Sequence, residues 1–178
     1  SEDLFNFLND LGDDEFILRT SPGESGAIIH RLGQPNVYII PRPTDPKQAT
    51  MESKAVLSHE YSHVKNRHKI KSIVFDMISV SINAVLLTFF PVYTVFILVT
   101  LNCLLIYPII RNYLKHRFEY EADNFAVESV SKKAVQHRLR RNSHLEPDNN
   151  GFIPYSTSHP EIKTRMDRVH NLDENTRN

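Results

Sequence analysis

The stretch Leu57-Ser58-His59-Glu60-Tyr61-Ser62-His63 carries the pattern His-Glu-x-x-His, and the interpretation of the whole sequence starts from it. On an α-helix, His59 and His63 are one turn apart and project from the same face, so both imidazoles can reach one zinc ion. Glu60 lies beside that face, where its carboxylate can take a proton from a water held by the metal. In a chain with nine histidines the pattern can also arise by chance, so a third ligand is needed.

The first candidate for the third ligand is a histidine shortly after the motif. One class of zinc proteases uses His-Glu-x-x-His-x-x-Gly-x-x-His, in which the glycine breaks the helix. Here Asn66 occupies the glycine position and Lys69 occupies the last histidine position, while His68 is one residue out of place. The sequence therefore excludes that class.

The second candidate is a carboxylate from a later helix, which gives a site with two histidines and one glutamate. The segment Arg117-Phe118-Glu119-Tyr120-Glu121-Ala122-Asp123 supplies it. Because Glu119 and Asp123 are one helical turn apart, one can bind zinc while the other orients a ligand histidine. Without the first motif, the same segment would be interpreted as an ordinary charged helix face.

Between the two motifs lies an apolar run from Ile73 to Ile110, 38 residues in which Asp76 is the only formally charged side chain. As one helix it would be about 57 Å long, nearly twice the hydrocarbon core of a bilayer, whereas two spans of about 17–19 residues fit well. Pro91 lies near the middle, where a turn is needed. The run therefore predicts a transmembrane hairpin, with a buried helical pair of a soluble core as the alternative.

The charges around this run predict its orientation. Basic residues precede it (Lys65, Arg67, Lys69, Lys71) and follow it (Arg111, Lys115, Arg117). A hairpin places both basic flanks on one side, and that side is expected to be cytoplasmic. The two motifs can bind one metal only if they lie on the same side of the membrane. An even number of spans between them, such as the two of a hairpin, meets this condition.

The sequence predicts a single domain, 1–178, of the α+β class. Its predicted segments are an N-terminal helix with a small antiparallel sheet (1–46), the helix of the first motif (47–71), the transmembrane hairpin (72–110), the helix of Glu119 (111–139) and a loop with a C-terminal helix (140–178).

Composition narrows the function classes further. Lys and Arg total 21, as do Asp and Glu, so global charge gives no case for nucleic acid binding. Cys103 is the single cysteine, which excludes an intrachain disulfide and cysteine-based zinc ribbons. The acidic segment Ser1–Asp14 lacks the pattern of a secretory signal peptide.

Taken together, the motifs resemble those of the membrane metallopeptidases that include the HtpX heat-shock protease and the CAAX prenyl protease. The similarity runs in family order from about Pro35 to Arg165. The matching segments are Pro35–Tyr38, His59–Arg67, Phe118–Ala126 and Ser158–Pro160.

This resemblance implies one Zn²⁺ per chain, bound by His59, His63 and Glu119, with Glu60 as the catalytic base and Asp123 as a partner of a ligand histidine. It further implies that His159 and Arg165 lie near the cleft, where they stabilise the oxyanion or grip the substrate. Asn36 is expected on an edge strand that aligns the substrate by β-augmentation. Relatives carry further transmembrane helices before the first motif, where the given sequence has a short acidic stretch that is rich in predicted strands.

We therefore expect a gluzincin-like metallopeptidase domain with an inserted two-helix transmembrane hairpin. The expected activity is endopeptidase cleavage, at the cytoplasmic membrane face, of peptide or protein substrates that are misfolded or membrane-embedded. The alternative is a latent or non-catalytic zinc-binding membrane sensor or scaffold. That alternative gains weight if Ser1–Asp14 or Arg140–Ser156 fills the cleft.

Overall fold

A computed structural model describes residues 2–13, 15–21, 27–29, 35–41, 46–142 and 160–175 of the chain. The elements in chain order are α1 (Glu2–Leu11), β1 (Phe16–Ser21), β2 (Ala27–Ile29), β3 (Asn36–Pro41), α2 (Pro46–Lys65), α3 (His68–Phe89), α4 (Val92–Leu101), a π-helical turn (Asn102–Ile106), α5 (Tyr107–Ser129), α6 (Lys132–Asn142) and α7 (Ile162–Asn175). The described residues fall into two compact units. One comprises those within Ser1–Asn66, Tyr120–Asn149 and Glu161–Asn178, and the other those within Arg67–Glu119 and Asn150–Pro160.

The three strands form a mixed sheet in the order β1-β3-β2. β1 pairs with β3 in parallel, from Phe16 opposite Asn36 to Ser21 opposite Pro41. β2 pairs with β3 antiparallel, with Ile28 opposite Tyr38. The prediction of an antiparallel sheet is therefore wrong for β1, because the strands that pair are not consecutive in the chain.

The central strand β3 supplies the first hydrophobic core. Tyr38 and Ile40 point to the same side of the strand and are buried. They pack with Leu4 and Leu8 of α1 and with three side chains of α2, namely Val56, Leu57 and Tyr61. Helix α1, the N-terminal helix that the sequence predicts, is thus a part of the core.

The side chain of Tyr38 is fully buried, and its hydroxyl bonds to a half-buried carboxylate. It donates a 2.5 Å hydrogen bond to Oδ2 of Asp13. Burial, and next this hydrogen bond, raise the pKa of Tyr38 above its usual range. The loop after α1 is in this way tied to the centre of the sheet.

A second core lies on another face of α2. Ala55 of that helix packs with small and branched side chains of the last three helices, which are Ala126, Ala134, Val135, Leu139, Ile162 and Val169. Helix α2 is therefore held between two cores, and this fixes the orientation of its remaining faces.

Two helix boundaries differ from the prediction. Helix α2 ends at Lys65, not near residue 71, because Arg67 takes a left-handed conformation (φ 53°) and α3 begins at His68. The predicted helix 111–139 is two helices, α5 and α6, which are separated at Val130 and Ser131. The hydroxyl of Ser131 accepts a hydrogen bond from the backbone N–H of Ala134 and so caps α6.

Two helices are long and apolar enough to cross a membrane. One is His68–Phe89, and the other is the continuous helix Val92–Ser129. In the most apolar 18-residue stretch of each helix, 0% and 6% of the stretch is buried. The helical structure is interrupted between them at Phe90 and Pro91, where the sequence predicts the turn.

Polar side chains join the two helices of this hairpin. Asn102 donates a 2.8 Å hydrogen bond to Oδ1 of Asn83. Closer to the basic flank, Asp76 accepts hydrogen bonds from Tyr107 at 2.8 Å and from Nε of Arg111 at 3.2 Å. The one charged residue of the apolar run is thus paired with Tyr107 and Arg111.

Candidate metal centre

Helix α2 presents its two motif histidines on one face. The Nε2 atoms of His59 and His63 are 3.2 Å apart, and the ring centroids are 4.9 Å apart. Two nitrogens bound to one tetrahedral zinc at about 2.0–2.1 Å lie about 3.3 Å from each other. The spacing of one helical turn therefore already gives the separation that a shared zinc requires.

The ring of His59 is oriented from its other side. Its Nδ1 lies 2.9 Å from Oδ1 of Asp123 in α5, and both side chains are almost fully buried. An N–H at Nδ1 satisfies this contact with the carboxylate and leaves the lone pair on Nε2 for a metal. The contact agrees with the orienting role that the sequence predicts for Asp123, and that role stays a prediction.

Asp123 is in turn held by Arg165 of α7. The guanidinium forms a bidentate pair with the carboxylate, with Nε to Oδ2 and Nη2 to Oδ1 both at 2.7 Å. Burial would raise the pKa of Asp123, but the hydrogen bonds from His59 and Arg165 hold it well below its usual range. The carboxylate is therefore kept charged where it faces the ligand ring.

Glu119 completes a group of three side chains that could hold a metal ion. One ligand atom each from His59, His63 and Glu119 lie within 4.8 Å of one another. Two imidazoles and one carboxylate are a donor set suited to zinc, so the residues fit the metal that the sequence predicts.

The expected general base lies against a cation. Glu60 follows His59 in α2, and its Oε1 is 3.9 Å from Nη2 of Arg138 in α6. The two side chains are 13% and 10% exposed, so the pair is shielded from bulk water. Sequence reasoning missed Arg138, although its position was unusual. It lies on the buried stripe of α6, next to Leu139, where an apolar residue is expected.

The remaining predicted site residues have different outcomes. Asn36 is buried in β3, where its amide donates a 3.1 Å hydrogen bond to Oδ2 of Asp13. Its strand is central, so the expectation of an edge strand at Asn36 is wrong. Arg165 is placed beside Asp123, as described above. His159 lies outside the described residues.

Comparison with known proteins gives a family. The sequence profile of Peptidase family M48 matches residues 45–173. This range includes the three candidate ligands, Glu60, Asp123, Arg138 and Arg165. A search of curated proteins finds no match.

Proposed function

We propose that this chain, which belongs to Peptidase family M48, is a zinc-dependent endopeptidase of the cytoplasmic membrane face. The proposal rests on the ligand atoms of His59, His63 and Glu119, which lie within 4.8 Å of one another. Glu60 directly follows His59 in the same motif. The resemblance to membrane metallopeptidases that the sequence indicates is confirmed by the family match.

In this proposal, bound zinc supplies the Lewis acid that polarises the scissile carbonyl and acidifies a water. His59, His63 and Glu119 hold the metal. Glu60 accepts the proton of the attacking water on its carboxylate and then delivers it to the nitrogen of the leaving amine. Each proton that Glu60 takes is thus returned within one turnover.

The hydrogen bonds that link His59, Asp123 and Arg165 orient the site for this chemistry. Asp123 sets the tautomer and orientation of His59, and Arg165 keeps Asp123 in place and charged. Arg165 therefore acts through Asp123 in our proposal. We do not assign to it the oxyanion stabilisation that the resemblance implies.

The latent or non-catalytic alternative depended partly on the N-terminal segment. Leu4 and Leu8 of that segment pack in the first core, against the α2 side chains Leu57 and Tyr61. The histidines project from a different face of α2. Residues 2–11 therefore support the fold, which favours the catalytic proposal. Of the other suspected segment, residues 143–156 lie outside the described part of the chain.

Casein cleavage by detergent-purified protein tests the enzymatic proposal. We expect cleavage that a chelator abolishes and zinc restores, and that Glu60→Gln lacks although it still binds zinc. Glu52→Gln is the matched control, because Glu52 lies on the same helix but pairs with Arg141 and His137. Full activity in Glu60→Gln would refute the role of Glu60. One bound zinc without any cleavage would support the latent or scaffold alternative.

The membrane part of the proposal rests on the two exposed apolar helices and the basic residues that flank them. Thiol labelling in cells tests it in a Cys103→Ser background. Thr88→Cys, close to the turn of the hairpin, should react with an impermeant maleimide from outside. Lys133→Cys, on the exposed side of α6, should react only after permeabilisation. Equal labelling of both positions in intact cells would contradict a hairpin with a cytoplasmic active site.

A further inference from the structure

We propose that Arg138 is a positioning residue that fixes the carboxylate of Glu60 for proton transfer. This inference rests on the proposed function and goes beyond it, because the motif assigns no partner to the general base. The guanidinium is 3.9 Å from that carboxylate, at Nη2 and Oε1, and both side chains are largely buried.

The packing of α6 explains why the arginine faces Glu60. Ala134, Val135 and Leu139 form the buried stripe of the helix, and Arg138 lies on the same stripe. A guanidinium among apolar neighbours is costly unless it faces an opposite charge. Glu60 supplies that charge from α2.

A second ion pair between the same helices provides a comparison. Nη1 of Arg141 is 3.2 Å from Oε2 of Glu52, and His137 also contacts Glu52. Glu52 precedes Glu60 by about two helical turns, roughly 12 Å along the axis. Both pairs join α2 to α6, but only the Arg138 pair involves a residue of the motif. Arg141 is thus a matched control for the structural part of the contact.

The contact restricts where Glu60 can point. A glutamate side chain has several rotamers, whereas proton transfer requires reacting atoms about 3–3.5 Å apart in one orientation. The planar guanidinium stays charged at every working pH and offers a rigid fork of donors. Arg138 therefore selects among the carboxylate positions without touching the substrate. Its removal should lower kcat and leave KM nearly unchanged.

Steady-state kinetics on a peptide substrate test this role. We expect Arg138→Met to lower kcat roughly 10- to 100-fold, the usual effect of losing a partner of an active-site group, with KM within about twofold. Arg138→Lys should recover part of the loss, and Arg141→Met should resemble the wild type. In a Glu60→Asp background the effect of Arg138→Met should shrink, because the shorter carboxylate has already lost the contact. Equal kcat values for Arg138→Met and Arg141→Met, or a rise in KM alone, would overturn the proposal.

A melting experiment separates this inference from the proposed function. The full chain in detergent is unfolded with zinc and with chelator, as wild type, Glu60→Gln, Arg138→Met and the double variant. The ion pair predicts that Arg138→Met lowers the melting temperature by roughly 5–15 °C alone and by less than half of that in Glu60→Gln. Additive shifts would overturn the contact. A wild type without chelator-sensitive cleavage would contradict only the proposed function, and the melting cycle would still decide the case of Arg138.

Discussion

Replacing Arg165 by methionine should damage both the stability and the metal affinity of the protein. The guanidinium and the carboxylate of Asp123 are 9% and 2% exposed and are joined by two contacts of 2.7 Å. Removing one partner of such a buried pair leaves an uncompensated charge and costs about 3–5 kcal/mol. At about 2–4 °C per kcal/mol for a chain of this size, the melting temperature should fall by roughly 6–20 °C.

The same variant should also bind zinc more weakly, by about 10- to 100-fold, because Asp123 then loses the group that holds it against His59. Arg168→Met is the matched control. Arg168 lies on the same helix, is exposed and sits 4.6 Å over the ring of Tyr120, a contact worth only about 0.5–1 kcal/mol. Differential scanning fluorimetry and competition with a zinc-binding dye measure the two quantities. If both variants melt within a degree or two of each other and bind zinc equally well, the contacts from Arg165 through Asp123 to His59 contribute neither to stability nor to zinc affinity.

Three further perturbations test other parts of the account. Asp123→Asn should weaken zinc binding by about 10- to 100-fold while Glu60 stays in place, and unchanged affinity in a chelator competition would refute the orienting role of Asp123. Leu8→Ala should destabilise the protein by about 2–5 kcal/mol, because Leu8 is fully buried in the first core, and a gain in cleavage without loss of stability would instead indicate a removable N-terminal plug. The raised pKa of Tyr38 predicts stability that is complete below about pH 10 and lost as the pH rises further. Tyr38→Phe should therefore show a smaller drop in melting temperature between about pH 9 and 11 than the wild type, and parallel drops would contradict this assignment.

The side chains of the candidate metal site could be predicted to come together because their geometry is largely local. The helical turn between His59 and His63, and the one between Glu119 and Asp123, each put two side chains on a common face whatever the tertiary structure. Pairing the two helices required only the donor chemistry of zinc. The break at Pro91 was predictable for a similar reason, since proline restricts its own backbone.

The parts that sequence reasoning missed depend on contacts between distant segments. β1 and β3 are neighbours in the sheet and pair in parallel, although β2 lies between them in the chain. No turn signal in the sequence indicates a partner that is not the next strand. Arg165 was expected near the cleft, but only the packing of α7 shows that its guanidinium faces Asp123. Arg138 faces Glu60 because α6 is a separate helix that packs on α2. A single predicted helix over 111–139 could not reveal that contact.

The most direct test of the central claim is X-ray absorption at the zinc edge on the purified full chain, combined with its zinc content. We predict one zinc per chain with nitrogen and oxygen ligands at about 2.0–2.2 Å, and a loss of most of this zinc in His63→Ala and Glu119→Ala but not in Glu60→Gln. A sulfur ligand at about 2.3 Å, or full zinc content in Glu119→Ala, would contradict a site built from His59, His63 and Glu119.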